Sequence, residues 1–115
     1  MTARAIAKRI RMSPRKVRLV VDQIRGRSVN EAYGLLRYSK KAAADPVSKT
    51  LRSAVANAQV RAQESGEVLD VDELVVSEAF VDEGPTSRRW RAAAMGRAAP
   101  RRRRTSHITV VVETI

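Results

Sequence analysis

The spacing of apolar residues in the first 66 positions predicts one short strand followed by three helices. In residues 3–11 the long side chains of Ile6, Lys8 and Ile10 alternate with Ala5, Ala7 and Arg9, as expected for a strand. Ser13 and Pro14 then begin a helix, with the serine hydroxyl as its N-cap, and Gly26 ends it. The apolar stripe of this first helix consists of Val17, Val20, Val21 and Ile24.

Two further helices are marked by their first residues. Ser28 and Glu31 form a capping box at the start of a short second helix. Asp45 and Pro46 repeat the cap-plus-proline signature and begin a long third helix that runs to about Glu64, although a helical turn over residues 40–44 is also possible. The stripe of the third helix is rich in alanine, so we expect it to pack closely across a sheet; it consists of Val47, Leu51, Ala54, Val55, Ala58 and Ala62.

Two more strands are predicted at residues 74–82 and 107–115. The first has apolar residues on both faces, as a central strand would, and the second alternates from Ile108 onward. The whole pattern predicts an α+β fold: a three-stranded antiparallel sheet with three helices packed on one face and a long protruding β-hairpin arm.

The arm is the segment between these two strands. We expect a single domain over residues 1–115, with a globular body at 1–82 and 108–115 and the arm at 83–107. Folded back on itself, the arm would extend on the order of 40 Å at roughly 3.3 Å per residue. A compact chain of this size has a radius of gyration of only about 13 Å, so the arm would be longer than the body is thick.

The charge distribution points to a polyanionic partner. The chain has a formal net charge of +11, and its basic residues are concentrated in two regions around a slightly acidic middle. Residues 1–30 hold nine Lys and Arg against one Asp, and residues 84–112 hold eight Arg and no acidic residue. Such a balance favours nucleic acid first and an anionic membrane surface second.

The basic residues of both regions are candidate phosphate ligands, because arginine binds phosphate bidentately without needing a base sequence. A basic run is otherwise a solvated face or a disordered tail, but here predicted strands enclose it, which favours RNA contact. Ser13 is interpreted as a cap and not as a phosphate ligand. The arm candidates are Arg88, Arg89, Arg91, Arg97, Arg101, Arg102, Arg103 and Arg104. The N-terminal candidates are Arg4, Lys8, Arg9, Arg11, Arg15, Lys16 and Arg18.

Catalytic and metal chemistry find little support in the residue types. There is no cysteine and one histidine, so we expect no metal, no cofactor and no enzymatic activity. His107 is expected to make a hydrogen bond at the base of the arm and is counted as an RNA-contact candidate. Asp82 and Glu83 are expected to hold basic side chains there. Trp90 either packs in the core or on the hairpin, or stacks on a flipped base.

Four segments, in this order, closely resemble the bacterial large-ribosomal-subunit protein L-twenty-two family: Arg11–Gly26, Ser53–Ala58, Phe80–Thr86 and Arg104–Val112. The resemblance spans nearly the whole chain. It implies a body on the outside of the large subunit and a hairpin that runs inward through large-subunit rRNA. It also implies early binding during assembly and a hairpin tip that forms part of the nascent-chain tunnel wall and can influence macrolide action. The implied tip residues are Trp90, Arg91, Ala92, Ala93, Ala94, Met95 and Gly96.

The chain departs from the family pattern at the tip. Relatives have Arg-Pro-Arg-Ala-Gln-Gly-Arg where this chain has Arg-Ala-Ala-Ala-Met-Gly-Arg at 91–97, and an Arg-Ile pair where it has Pro100-Arg101. Individual contacts near Ala92, Ala93 and Met95 therefore do not carry over from the family.

The partners implied are large-subunit rRNA, neighbouring ribosomal proteins and the nascent polypeptide, in the cytoplasm, with no membrane insertion and no self-oligomer. The alternative is an architectural nucleic-acid-binding protein whose β-arm inserts into the minor groove of DNA, although such arms occur on dimers with an apolar face that this chain lacks. An RNA-acting enzyme and a membrane-active protein are weaker alternatives.

Overall fold

A computed structural model describes residues 1–114 and has the α+β architecture that the apolar pattern predicts. A short 3-10 turn, Val71–Glu73, precedes the second strand, and another, Ala94–Gly96, lies at the hairpin tip. The main elements are β1 (Thr2–Ile10), α1 (Pro14–Ile24), α2 (Val29–Arg37), α3 (Ala44–Ser65), β2 (Leu74–Glu83), β3 (Ser87–Ala92), β4 (Ala98–Arg103) and β5 (Ser106–Thr114).

The core lies between one face of the antiparallel sheet and the helices. The strand order is β1-β5-β2, so the C-terminal strand is the central one. The long helix α3 packs on β1 and β5, while α1 packs on β2. Ala3 and Ala5 of β1 face this layer and are buried, and α3 presents Ala54 and Ala58 to it. The alanines permit the close approach of helix and sheet that the sequence predicts.

The interpretation of residues 74–82 as a central strand is wrong, because β2 lies at the edge of the sheet. Its pairing with β5 shifts between Val76 and Glu78, which leaves Ser77 as the extra residue of a β-bulge. The bulge reverses which side chains face the core: Val76 is buried before it and Ala79 after it, while Phe80 is 41% exposed. Two apolar faces in sequence therefore become one buried face in the structure.

The helix boundaries are confirmed with two corrections. The α1 stripe is fully buried, but the Ser13 hydroxyl makes no cap hydrogen bond; the Ser13 carbonyl instead accepts from the backbone N–H of Val17 at 3.2 Å. Ser28 caps α2 as predicted by accepting from the Glu31 N–H at 3.3 Å. Asp45 is not the cap of α3, because the helix begins at Ala44 and Asp45 lies in its first turn. A carboxylate there still interacts favourably with the helix dipole.

Side chains from the helices cover the backbone of both edge strands. Arg18 of α1 donates through Nε and Nη2 to the Val81 carbonyl at 3.2 and 2.9 Å. Arg25, just beyond α1, donates in the same way to the Ala79 carbonyl at 3.0 and 2.6 Å. On the other edge, Asn57 and Arg61 of α3 donate to the carbonyls of Arg4 and Thr2, respectively, at 2.9 and 2.6 Å. Covered edges resist pairing with other chains.

Strands β3 and β4 form a two-stranded sheet of their own. The molecule measures 67 × 27 × 16 Å along its principal axes, and its radius of gyration is 17.5 Å. A compact chain of this length would have a radius of gyration of about 13 Å, so the shape is elongated. Two hydrogen bonds join the two chain segments between the main sheet and the hairpin: Gly84 N–H donates to the Thr105 carbonyl at 3.0 Å, and Thr105 Oγ1 donates to the Pro85 carbonyl at 2.7 Å.

Candidate nucleic-acid interface

The register of the hairpin places like charges directly opposite each other. Arg88 pairs with Arg102, and Arg89 pairs with Arg101. Directly opposed like charges destabilise a strand pair, and the hairpin sequence has no carboxylate to offset them. The hairpin is therefore well suited to bind an anion that neutralises these pairs.

The alternation of side chains along β3 and β4 gives the hairpin two different faces. One face, which we call the arginine face, carries Ser87, Arg89, Arg91, Ala99, Arg101 and Arg103. The other, which we call the tryptophan face, carries Arg88, Trp90, Ala92, Ala98, Pro100 and Arg102. The arginine face holds four guanidinium groups along its length, which suits the repeating charges of a nucleic-acid backbone.

Trp90 lies opposite Pro100 and is 68% exposed. Its ring is therefore outside the core of the body, and the tryptophan face offers an open apolar surface between arginines. Such a surface can stack on a base or pack against another protein.

The hairpin turns at residues 93–97. Ala93 N–H donates to the Arg97 carbonyl at 2.7 Å, which closes the turn. Met95 and Gly96 both have positive φ, +61° and +70°, and the Met95 side chain is 96% exposed. Met95 and Gly96, two of the tip residues that the resemblance implies, therefore lie in the turn of the hairpin. A left-handed methionine is uncommon, because its Cβ crowds the backbone there.

The two basic regions meet at the root of the hairpin. Arg11, in the segment between β1 and α1, lines a cleft of about 440 Å³ together with arginines of the hairpin. The full lining consists of Arg11, Ser87, Arg89, Arg103, Arg104 and Thr105. The charge pattern of the sequence indicates the N-terminal basic region and the basic arm, but not that they lie side by side. Ser87 and Thr105 were not predicted, because nothing in their local sequence marks them as neighbours of Arg11. We call this feature the root cleft.

The other N-terminal candidates are exposed but differ in what they contact. Arg4, Lys8 and Arg9 lie on β1, and Arg15 and Lys16 lie in the first turn of α1. Arg18 has a structural role as well, because its guanidinium holds the edge of β2. Arg25 and Arg61 hold strand edges in the same way, and they were not predicted because no local signal marks them.

His107 makes the hydrogen bond predicted for it at the base of the hairpin. Its Nδ1 accepts from the backbone N–H of Arg9 at 3.0 Å. Lys8 and Arg9 lie where the β1–β5 register shifts, between Ala7 and Ile10, and Arg9 has a φ of +58°. The histidine therefore holds a β-bulge that turns two basic residues out of the regular strand.

The expectation that Asp82 and Glu83 hold basic side chains is wrong. In residues 1–114 the ion pairs are Arg25–Asp22 at 2.9 Å and Arg27–Glu31 at 3.7 Å, both local to the first two helices. Adjacent strand positions point Asp82 and Glu83 to opposite faces of β2. The hairpin arginines consequently have no carboxylate partner within the described chain.

Within the described part of the chain, no three His, Asp or Glu side chains gather closely enough to hold a metal ion. None of the helices described there has the length and apolar character needed to cross a membrane. Burial raises the pKa of Tyr33 above its usual value of 10.0, and the charge of Arg52 partly offsets this. Tyr33 lies on α2 and Arg52 on α3, so this pair belongs to the helices of the body.

These features define a class of protein: a small, strongly basic α+β domain with an arginine-rich hairpin whose charges have no carboxylate partner among residues 1–114. Residues 5–113 match the sequence profile of the family described as ribosomal protein L22p/L17e. The chain is 53% identical over 112 residues to the large ribosomal subunit protein uL22 of Bifidobacterium longum strain DJO10A, which covers 97% of this chain and 94% of that protein. The same values hold for uL22 of Bifidobacterium longum subsp. infantis. The chain belongs to this ribosomal protein family, whose members are structural constituents of the ribosome and not enzymes.

Proposed function

We propose that this protein is a cytoplasmic constituent of the large ribosomal subunit that binds large-subunit rRNA through the hairpin and the N-terminal basic region. The observation that carries the proposal is the pairing of arginine with arginine across β3 and β4, in a segment without any acidic residue. Phosphate is the partner that satisfies such an arrangement, because guanidinium groups bind it bidentately. The names of the relatives, which are large-subunit proteins, support large-subunit rRNA as the partner.

The hairpin is proposed to act as an arm, distinct from the body, that enters the RNA. Its two strands form their own sheet, every residue of β3 is exposed, and the long axis of the molecule is 67 Å. An exposed, highly charged hairpin gains little from burial in its own chain, so its stabilisation must come from a partner. Insertion among rRNA segments would supply that partner and would support assembly of the subunit.

The hairpin tip is proposed to line the tunnel through which the nascent polypeptide leaves. Support comes from the resemblance described above and from the tip itself, where Ala93, Ala94 and Met95 are exposed and Met95 projects from a left-handed turn. Small and apolar side chains suit a wall that must let varied peptides pass.

The rRNA proposal predicts a salt-dependent affinity. Binding of the full chain to large-subunit rRNA should weaken steeply as salt rises, and Arg101→Gln should reduce the slope of log K against log salt by about one unit. The control is Arg52→Gln, which removes a charge from the helix side of the body and should leave the slope unchanged. Filter-binding or anisotropy titrations at several salt concentrations provide the measurement.

Two results would count against the proposal. If the affinity for rRNA did not change with salt, the proposed phosphate contacts would be ruled out. Equal competition by duplex DNA would favour the architectural DNA-binding alternative over a ribosomal function.

The tunnel proposal predicts a contact between Met95 and the nascent chain. A photo-crosslinking residue at position 95 should label the growing polypeptide in translating ribosomes, whereas the same residue at position 60, which is exposed on α3, should not. Crosslinks from position 95 to rRNA alone would place the tip away from the tunnel.

A further inference from the structure

We infer that the root cleft is a phosphate site that holds one stretch of RNA backbone against the body and the hairpin together. The inference rests on the proposed function for the identity of the RNA, and it adds a specific site and a consequence for the orientation of the hairpin. Four arginines from separate parts of the chain line the cleft: Arg11, Arg89, Arg103 and Arg104.

The fold, and not the local sequence, assembles this cluster. Arg11 follows β1, whereas the other three arginines lie in or beside the hairpin, more than seventy positions later. Arg89 and Arg103 belong to the arginine face, and Ser87 pairs directly with Arg103. The lining includes no carboxylate, and the ion pairs of residues 1–114 lie elsewhere. Gathering four like charges costs free energy unless an anion joins them.

The chemistry of the lining fits a phosphodiester. Guanidinium groups bind phosphate through two parallel hydrogen bonds, and the Ser87 hydroxyl adds a neutral donor. Thr105 Oγ1 donates to the Pro85 carbonyl, which fixes its position at the floor of the site. The volume of about 440 Å³ lies within the range of about 300–1,000 Å³ that small-molecule sites occupy, so a phosphate with its attached sugar can enter.

A phosphate in the root cleft would also fix the angle between hairpin and body. Two short chain segments, residues 84–86 and 104–105, connect the main sheet to the hairpin sheet, and the two hydrogen bonds of Gly84 and Thr105 join these segments to each other. Without an anion, repulsion between Arg11 and the hairpin arginines favours opening at this junction. A phosphate that bridges them removes the repulsion and holds the hairpin in one direction. RNA binding and hairpin orientation are thus coupled through a single site.

A double-mutant cycle tests whether one backbone segment is shared. Arg11→Gln and Arg104→Gln should each lower rRNA affinity about tenfold, because each removes a charge-assisted hydrogen bond to phosphate. If both contact the same segment, the double variant should lose at least about threefold less than the product of the two single losses. Arg88 lies on the tryptophan face, so the combination of Arg11→Gln with Arg88→Gln is the matched control. Its loss of rRNA affinity should equal the product of the two single losses.

The cycle separates the two proposals. The root-cleft site would be overturned if the double variant of Arg11 and Arg104 lost as much affinity as the product of the two single losses. It would also be overturned if Arg11→Gln caused no loss of affinity. Either result would leave rRNA binding intact. Wild-type protein that fails to bind rRNA would instead overturn the proposed function. Circular dichroism of each variant should match wild type, since all of the substituted arginines are exposed.

The single tryptophan reports the coupling independently. Pyrophosphate should slow the fast component of the Trp90 fluorescence anisotropy decay in the wild type, compared with sodium chloride at equal ionic strength. It should have no such effect in Arg11→Gln. Pyrophosphate should also compete with rRNA; binding in the cleft without competition would show a free-anion site and would overturn the assignment to RNA backbone.

Discussion

Gly84 controls the point where the hairpin leaves the main sheet. A Cβ at this position would lie 2.5 Å from Thr105 Oγ1 and 3.2 Å from Cε1 of His107. The close approach allows the Gly84 N–H to reach the Thr105 carbonyl, and it keeps the histidine ring where Nδ1 can accept from Arg9. The lack of a side chain at Gly84 therefore leaves room for the hydrogen bonds at the root of the hairpin and at the bulge of β1.

Gly84→Ala should destabilise the protein by about 1–3 kcal/mol, because the new methyl group overlaps Thr105 and forces the two strands apart. The double variant Gly84→Ala with Thr105→Ala should recover part of the loss, since the nearest atom is then absent. Gly34→Ala is the matched control, because a Cβ there meets no atom within 4 Å. Denaturant unfolding monitored by circular dichroism gives the comparison, and equal stability of the two alanine variants would contradict it.

Ser106 lowers the stability of the protein, because its buried hydroxyl has no hydrogen-bond partner among the described residues. Its side chain is fully buried at the start of β5, and its hydroxyl has no hydrogen-bond partner among the described residues. A buried hydroxyl without a partner loses its hydration and gains nothing in return. Ser106→Ala should therefore raise the free energy of unfolding by about 1 kcal/mol. A clear fall in stability on denaturant unfolding would show that the hydroxyl is satisfied in solution.

At the scale of elements, arginine has two functions that the sequence does not distinguish. Arg15 and Arg18 both lie on the polar side of α1, yet only the second holds the backbone of an edge strand. Arg25 does the same just beyond the end of the helix. The difference depends on the position of β2 beside α1, which is a tertiary feature.

Replacing Arg25 by Gln should lower stability by about 1 kcal/mol, because the Ala79 carbonyl loses a charged donor at a partly exposed edge. It should also promote self-association through β2, since an uncovered edge pairs with other strands. Arg15→Gln, which removes the same charge from the first turn of α1, should change neither property. Thermal unfolding and sedimentation velocity on both variants test this, and identical behaviour would contradict a role for Arg25 at the edge.

The elements themselves were largely predictable, and the exceptions have physical causes. Periodicity located the stripe of α1, and capping chemistry located the start of α2, because both depend on neighbours within one helical turn. The bulge at Ser77 changes which alternate residues of β2 face the core, and no local sequence pattern marks such a bulge. The edge position of β2 could not follow from apolar content alone, since helix α1 buries one of its faces whatever its place in the sheet.

At the scale of the whole molecule, the fold brings Arg11 of the N-terminal basic segment beside the arginines of the hairpin. Charge counts indicated both segments, and the strands that enclose the second segment predicted a hairpin there, although not its register. The root cleft could not, because it requires the segment after β1 to lie beside the hairpin. The arginine face then extends from this cleft toward the tip: Arg101 lies opposite Arg89, one step beyond Arg103, and Arg91 lies beyond both.

Hydroxyl-radical footprinting of large-subunit rRNA would show whether the hairpin and the body both contact RNA. Subunits should be assembled with the full chain and with a variant in which a short turn replaces residues 87–103. We expect two sets of protected nucleotides in the first case, of which the hairpin set alone disappears in the second. An unchanged footprint after removal of the hairpin, or no protection by the full chain, would contradict an RNA-binding arm.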